Sequence, residues 1–203
     1  MSDGSRTVDK VKTLLKPFKD SDLQQTIKLY DSLAETYDQD LDMLTYRAPH
    51  LAVDFLDVNF PGVREKVQIL EVACGSGLVA KLMAELGFRH FVGVDCSKRM
   101  LDQAAKTGLY QDLRQALLGP EPLPAQTGVF DVVIGVGALD AGFAPVSVVR
   151  DLCHTARPGG MVCMVRGDHR GAASEGYRED LQRELQLMED KWLWRPALKQ
   201  SPR

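Results

Sequence analysis

Two carboxylates and a glycine bend are the residues of this sequence best placed to do chemistry. Glu71 stands at the end of the apolar run VQILEV, and the glycines of CGSG follow at once. Asp95 closes a second apolar run, VGVD, about twenty residues after Gly75. Glycine suits such a bend because the turn out of a strand needs backbone angles that a Cβ obstructs. It also lets a ligand approach the main chain and the open N–H groups at the next helix start, which attract negative oxygens. A carboxylate at the tip of the second strand can accept both hydroxyls of a ribose. A carboxylate just before the bend adds nothing for a phosphate but suits an ammonium group.

The elements that hold these residues can be read from the pattern between them. LVAKLMAEL carries Leu78, Leu82 and Leu86, with Val79 and Met83, at the four-residue spacing of one helix face. Gly87 follows as a C-terminal cap. The unit is therefore strand, glycine turn, helix, strand: a βαβ crossover with a nucleoside ligand across the carboxyl ends of parallel strands. Two ligands fit. Gly75-Ser76-Gly77-Leu78-Val79-Ala80 matches the GxGxxG/A dinucleotide fingerprint, with Asp95 in the ribose position, which points to a nicotinamide cofactor and an oxidoreductase. Glu71 points instead to S-adenosylmethionine, which has an α-amino group and a ribose and no phosphate.

ILEVACGSG resembles the first motif of the class I S-adenosylmethionine-dependent methyltransferases, and VGVDCSKRML resembles the second. RPGG at 157–160, before MVCMV, is similar to a turn of the same class. Upstream, YDSLAETYDQD and YRAP narrow the resemblance to one methyltransferase-like subgroup, and together the likeness spans residues 21–190. It implies an α/β fold: a Rossmann-like, mostly parallel sheet with helices on both faces. It also implies methyl transfer from S-adenosylmethionine. The cofactor contacts carried over are Glu71, Ala73, Cys74, Gly75, Gly77, Asp95, Cys96, Met100 and Gly137. Ala73 replaces the usual glycine of the first motif. Tyr30, Tyr37 and Arg47 would belong to a lid over the cofactor, Arg47 pairing with its carboxylate. Read without the resemblance, the tyrosines simply pack and Arg47 is a solvated surface residue. The acid that many relatives place after the third strand is missing, since Leu117-Leu118-Gly119 stands there. No catalytic residue declares itself; His154, His169 and Asp140 lie near candidate elements without a recognisable constellation. GVGA stands where amino-methylating DNA and protein enzymes carry an aromatic-proline tetrad, which with the acidic balance tilts the reading toward a small-molecule acceptor and leaves a protein acceptor open.

Composition sets the bounds. A chain of 203 residues, 44% hydrophobic and 26% charged, suits one ordinary domain with a packed core. A net charge of −3 gives no drive toward nucleic acid or anionic membrane. The four cysteines, Cys74, Cys96, Cys153 and Cys163, show no metal spacing and read as free thiols in a reducing compartment. MSDGSRTVDK has no apolar core for a secretory signal, and no run approaches the ~20 apolar residues of a spanning helix. A cytoplasmic location is expected, with the nucleus left open.

Along the chain, residues 1–60 read as a helical cover, 61–170 as the cofactor domain and 171–203 as a helix with a short tail. Residues 1–6 should be loose. Helices are predicted over 7–16, ended by Pro17, and over 20–37, where Leu23, Ile27, Tyr30, Ala34 and Tyr37 share a face. Another helix starts at Pro49. After Asp95, Ser97 caps a helix through Lys106. A weakly patterned third strand is placed at 113–118, a buried strand at 129–136, a helix at 145–156, a turn at 157–160 and a fifth strand at 161–166. Tyr177, Leu181, Leu185, Met188 and Trp192 then repeat at helical spacing. The class usually ends with two further strands, the last antiparallel. Pro196 and Pro202 discourage one here, so a sheet lacking its last one or two strands is expected. The expectation that follows is a monomer of lowered stability, with association possible through an exposed sheet edge. A catalytically silent cofactor-binding form is a further alternative.

Overall fold

The computed structural model describes residues 6–15, 23–120, 122–167 and 171–196. Its elements, in order, are α1 (Val8–Leu14), α2 (Leu23–Leu33), α3 (Tyr37–Met43), α4 (Ala48–Asn59), β1 (Gln68–Val72), α5 (Leu78–Glu85), β2 (His90–Asp95), α6 (Lys98–Lys106), β3 (Tyr110–Gln115), β4 (Phe130–Val136), α7 (Val148–Thr155), β5 (Ala156–Val165) and α8 (Ala172–Asp190). The strands form one sheet in the order β3-β2-β1-β4-β5. Every pairing is parallel. Strand order reverses beside β1, between β2 and β4, and there a crevice opens at the carboxyl ends.

The apolar runs become strands because both faces of the sheet are covered. On one face Leu70, Val72, Val94 and Val133 pack with Val148, Val149 and Leu152 of α7 and Leu181 and Met188 of α8. On the other, Ile69, Phe91, Val132 and Ile134 pack with Ala52 and Leu56 of α4 and Val79, Ala80 and Met83 of α5. Ile69, Leu70, Phe91 and Ile134 are fully buried, each stabilising the fold by about 1.5–3 kcal/mol. α4, which the sequence groups with the cover, is thus a layer of the central core. Among the described residues no helix is long and apolar enough to cross a membrane, and no strand follows β5.

Several elements differ from expectation. The stretch read as one helix over 20–37 is broken: α2 ends at Leu33 and α3 begins at Tyr37. The Thr36 side chain reaches both Leu33 O and Asp40 Oδ2, closing a turn that competes with helix continuation. Residues 20–22 lie outside the described residues, as do 1–5 and Pro17. The third strand runs over Tyr110–Gln115 rather than 113–118. It is an edge strand, positioned by Tyr110, whose ring packs edge-on to Phe91 at 6.1 Å and whose hydroxyl donates to the buried Glu71.

The RPGG turn is absorbed into β5 as a bulge: Phe130 pairs with Ala156, and Val132 with Met161. Gly159 takes φ +78°, and a Cβ on Gly160 would lie 2.9 Å from Arg157 O and 3.0 Å from Phe130 O. Asp131 closes this rim, pairing with Arg157 at 2.6 Å and accepting from Gln68 N–H at 2.8 Å. α7 begins at Val148, three residues after the predicted start at Pro145. α8 ends at Asp190, so Trp192 leaves the apolar stripe and is 95% exposed. Trp194 returns instead, its indole N–H donating to Leu185 O at 2.9 Å.

Candidate functional site

The two carboxylates line one cavity with the glycine bend, and Asp95 holds the bend directly. Asp95, at the tip of β2, accepts from Gly75 N–H at 2.8 Å and from Ser97 N–H at 2.9 Å. Burial raises its pKa, and these backbone donors hold the rise back. Glu71, 3% exposed, accepts the Tyr110 hydroxyl at 2.6 Å. Burial pushes its carboxyl up to about 8, against the lowering effect of the Tyr110 hydrogen bond. A carboxylate offers about four lone-pair sites, so each retains capacity for a ligand.

Above the bend lies a cavity of about 450 Å³, within the size range of small-molecule sites. Of the residues singled out from the sequence, Glu71, Ala73, Cys74, Gly75, Asp95, Cys96, Met100, Gly137, Tyr30 and Tyr37 line it. Gly77 and Arg47 do not. Gly77 is the N-cap of α5 with φ 85°, and a Cβ there would press on Tyr110 and Thr107 at 3.1–3.3 Å. Its glycine serves packing behind the bend. Arg47 is the exposed N-cap of α4, turned out of the cavity. Its neighbour Tyr46 lines the cavity instead, with its hydroxyl 2.7 Å from the position a Gly137 Cβ would occupy.

The cover is made by α1, α2 and α3, and two acids fasten it. Asp31 of α2 accepts from Ser97 Oγ at 2.6 Å and from Arg99 N–H at 3.2 Å, at the start of α6. Asp38 of α3 accepts the Ser76 hydroxyl and pairs with Lys81 Nζ at 2.8 Å, at the start of α5. Both sites are helix N-termini, where negative charge is stabilised. Tyr30 and Tyr37 meet edge-on at 6.0 Å, and Tyr30 reaches Phe143 across the cavity at 6.4 Å. Burial raises the pKa of Tyr30, Tyr37 and Tyr46, so all three stay neutral hydroxyls. None of the three hydroxyls finds a hydrogen-bond partner among the described residues.

The lining of this cavity separates the two ligands that the glycine fingerprint left open. A dinucleotide would set its pyrophosphate on the N-terminus of α5. Here Glu71 lines the cavity beside that end, so a phosphate would meet an acid where it needs N–H donors, while Asp38 holds Ser76 and Lys81 from outside the cavity.

The remaining candidates are placed as follows. His154 is exposed at the end of α7, and its carbonyl accepts from Gly128 N–H. Asp140 is buried and accepts from Ser174 Oγ at 2.8 Å, Ala141 N–H at 2.8 Å and Arg166 at 3.2 Å, away from the cavity. His169 lies outside the described residues. All four cysteines are free. Thr26, Tyr46, Phe143, Leu41 and Leu44 line the cavity and were not singled out. Tyr46 had a signal, standing beside Arg47 just before the proline-started helix. Thr26 also had one, lying one helical turn before Tyr30 on the same face.

Comparison with known proteins agrees with this geometry. A methyltransferase-domain family model matches residues 69–160. Human methyltransferase-like protein 27 is 44% identical over 173 residues, covering 85% of this chain and 69% of that protein. The ubiquinone biosynthesis O-methyltransferase of Roseobacter denitrificans is 31% identical over 126 residues, covering 59% of this chain and 50% of its own length. Among solved structures, DhpI in complex with SAH is similar in fold, with a TM-score of 0.58 and 22% identity over 72% of this chain and 70% of that one. The motifs, the sheet order and these relatives agree: the chain belongs to the class I S-adenosylmethionine-dependent methyltransferases, with S-adenosylmethionine as its cofactor.

Proposed function

We propose that this chain transfers the methyl group of S-adenosylmethionine to a small-molecule acceptor inside the covered cavity. The observation that carries the reading is the pairing of Asp95, with lone pairs to spare, and three unpartnered tyrosine hydroxyls around one enclosed space. Asp95 would accept the ribose hydroxyls, and Met100 would pack on the adenine. Glu71 would face the ammonium group, while Tyr30 and Tyr37 donate to the carboxylate and exclude water. Backbone at Ala73, Cys74, Gly75 and Cys96 forms the floor. Gly137 leaves room at the tip of β4 for the reacting end.

When bound, the cofactor supplies a methyl group activated by its sulfonium. Alignment and dehydration of the two reactants account for most of the acceleration such a site can supply. The small acceptor is favoured by the cavity's size and closure and by the likeness to ubiquinone biosynthesis O-methyltransferases. Calorimetric titration of the full chain tests the cofactor half. Binding of S-adenosylhomocysteine without binding of NADH is expected; the reverse preference would overturn it. Labelled methyl donor with a panel of small acceptors then tests transfer.

A further inference from the structure

The cover does more than close the cavity, because its inner wall carries polar groups with no internal partner. α1 contributes Lys12 and Leu15 to the lining, α2 contributes Thr26, and α3 contributes Leu41 and Leu44. α1 is firmly seated: Val11 is fully buried, and Arg6 pairs with Asp40 of α3, whose side chain is 1% exposed. Thr26 is 7% exposed, and its hydroxyl bonds to no described residue. That hydroxyl belongs to the cavity lining, where a ligand oxygen can accept from it. Lys12 is exposed at the cavity mouth and is the sole cation among the described lining residues. It makes no ion pair or hydrogen bond with any described residue. Leu15, Leu41 and Leu44 complete the wall these helices contribute.

We propose that Lys12 and Thr26 form an acceptor subsite for a carboxylate, so that the methyl acceptor is a small apolar molecule with one carboxylate at its outer end. The inference rests on the methyltransferase reading and names the acceptor class for that same cavity. An ammonium and a hydroxyl converging on one anion make charge-assisted hydrogen bonds of the stronger kind. One lysine balances one negative charge, which favours a carboxylate over a doubly charged phosphate. Leu15, Leu41 and Leu44 suit an apolar body lying between the anion and the reacting end near Gly137 and Tyr46. The cofactor's own carboxylate is the competing source of the same chemistry. The ribose position at Asp95 sets that group beside Tyr30 and Tyr37, whose hydroxyls lie close enough to Asp95 to feel its charge.

The test uses the full chain saturated with S-adenosylhomocysteine and titrated with hexanoate and benzoate, with hexanamide and benzamide as neutral counterparts. The carboxylates should bind at least about tenfold more tightly than their amides, a difference of about 1.4 kcal/mol. Lys12→Gln should remove that preference, and Thr26→Val, which keeps shape and removes the hydroxyl, should reduce it. Both variants should bind S-adenosylhomocysteine as the parent does and melt at the same temperature. Equal binding of acid and amide by the parent, or no binding of any probe, overturns the subsite. Loss of S-adenosylhomocysteine affinity in both variants also overturns it, assigning the pair to the cofactor's carboxylate. Failure of the parent chain to bind S-adenosylhomocysteine would defeat the methyltransferase reading itself, and the subsite with it.

Discussion

Lowering the pH from 8 to 6 should weaken S-adenosylhomocysteine binding by about fiftyfold, with Glu71 as the cause. Its carboxyl is pushed up to about 8 by burial, so the free protein holds it largely protonated at neutral pH. A ligand ammonium favours the ionised form, and binding must therefore expel that proton. The ionised fraction of such a group rises about fiftyfold between pH 6 and pH 8, while the ligand's α-amino group, more basic than a peptide N-terminus because a free carboxylate adjoins it, stays ammonium throughout. The expected rise in affinity is therefore about fiftyfold. Calorimetry across that range in buffers of different ionisation heats reads both the affinity and the proton released. Glu71→Gln, which keeps the Tyr110 contact and cannot ionise, should bind more weakly at pH 8 and lose most of the pH dependence. The unliganded protein should show the opposite slope. A carboxyl raised in the folded state binds more protons there than in the unfolded chain. Its contribution to stability is therefore lost as pH rises from the ordinary value of 4.5 to about 8, by up to ~1.4 kcal/mol per unit. Asp95, also raised by burial, adds to that slope at its acid end. A flat affinity profile in the parent chain, or an unchanged profile in Glu71→Gln, would refute the ammonium role of Glu71.

Other outcomes follow from the same geometry. Asp95→Ala should weaken S-adenosylhomocysteine binding by about 1–3 kcal/mol, since it removes charge-assisted contacts to the ribose and the brace on Gly75. Calorimetry with a circular-dichroism check on folding reads it. Asp38→Asn should speed S-adenosylhomocysteine dissociation several-fold in stopped flow by loosening the cover, yet change melting little. The Asp38–Lys81 pair is about 40% exposed at each partner, where an ion pair contributes only about 0–1 kcal/mol. Gly137→Ala should cost stability by ~1–2 kcal/mol from its φ of +78° alone, and more from the Tyr46 hydroxyl 2.7 Å from the new Cβ. Adding Tyr46→Phe should restore the second part and leave the first, as read by thermal melts of both variants.

Where the chain is buried on two faces, its pattern is legible. VQILEV, VGVD and FDVVIGV become neighbouring strands because an apolar run bounded by turns has no other good place in an α/β fold. The acid-glycine-acid arrangement was readable for the same reason, since strand ends and a βαβ crossover fix where its side chains must lie. The edge of the sheet was harder. β3 is half solvated, so its position is decided by Tyr110 reaching Glu71, a contact between residues far apart in sequence. The break at 34–36 was hidden by an amphipathic pattern that continues through it, because Tyr37 faces the cavity on either side of the break. Trp192 fitted the apolar stripe of α8, but the helix ends first and the ring is left in solvent. Arg47 illustrates a further limit. A charge was the natural choice for pairing with a carboxylate, yet Arg47 sits on the outer side of the α4 start while Tyr46 turns inward.

The placement of acids explains how one glycine bend serves a cationic nucleoside rather than a dinucleotide. In either case the bend offers N–H donors at the start of α5. What differs is the charge that surrounds them. Asp38 arrives from the cover and takes the Ser76 hydroxyl outside the cavity, and Glu71 lines the cavity itself. Two unit charges of like sign about 4 Å apart repel by about 4 kcal/mol at an effective dielectric of 20. A phosphate set against an ionised Glu71 would face a repulsion of that kind, while an ammonium would be drawn to the same place. Glu71→Gln relaxes that selection, so this variant should show a measurable gain in affinity for NADH.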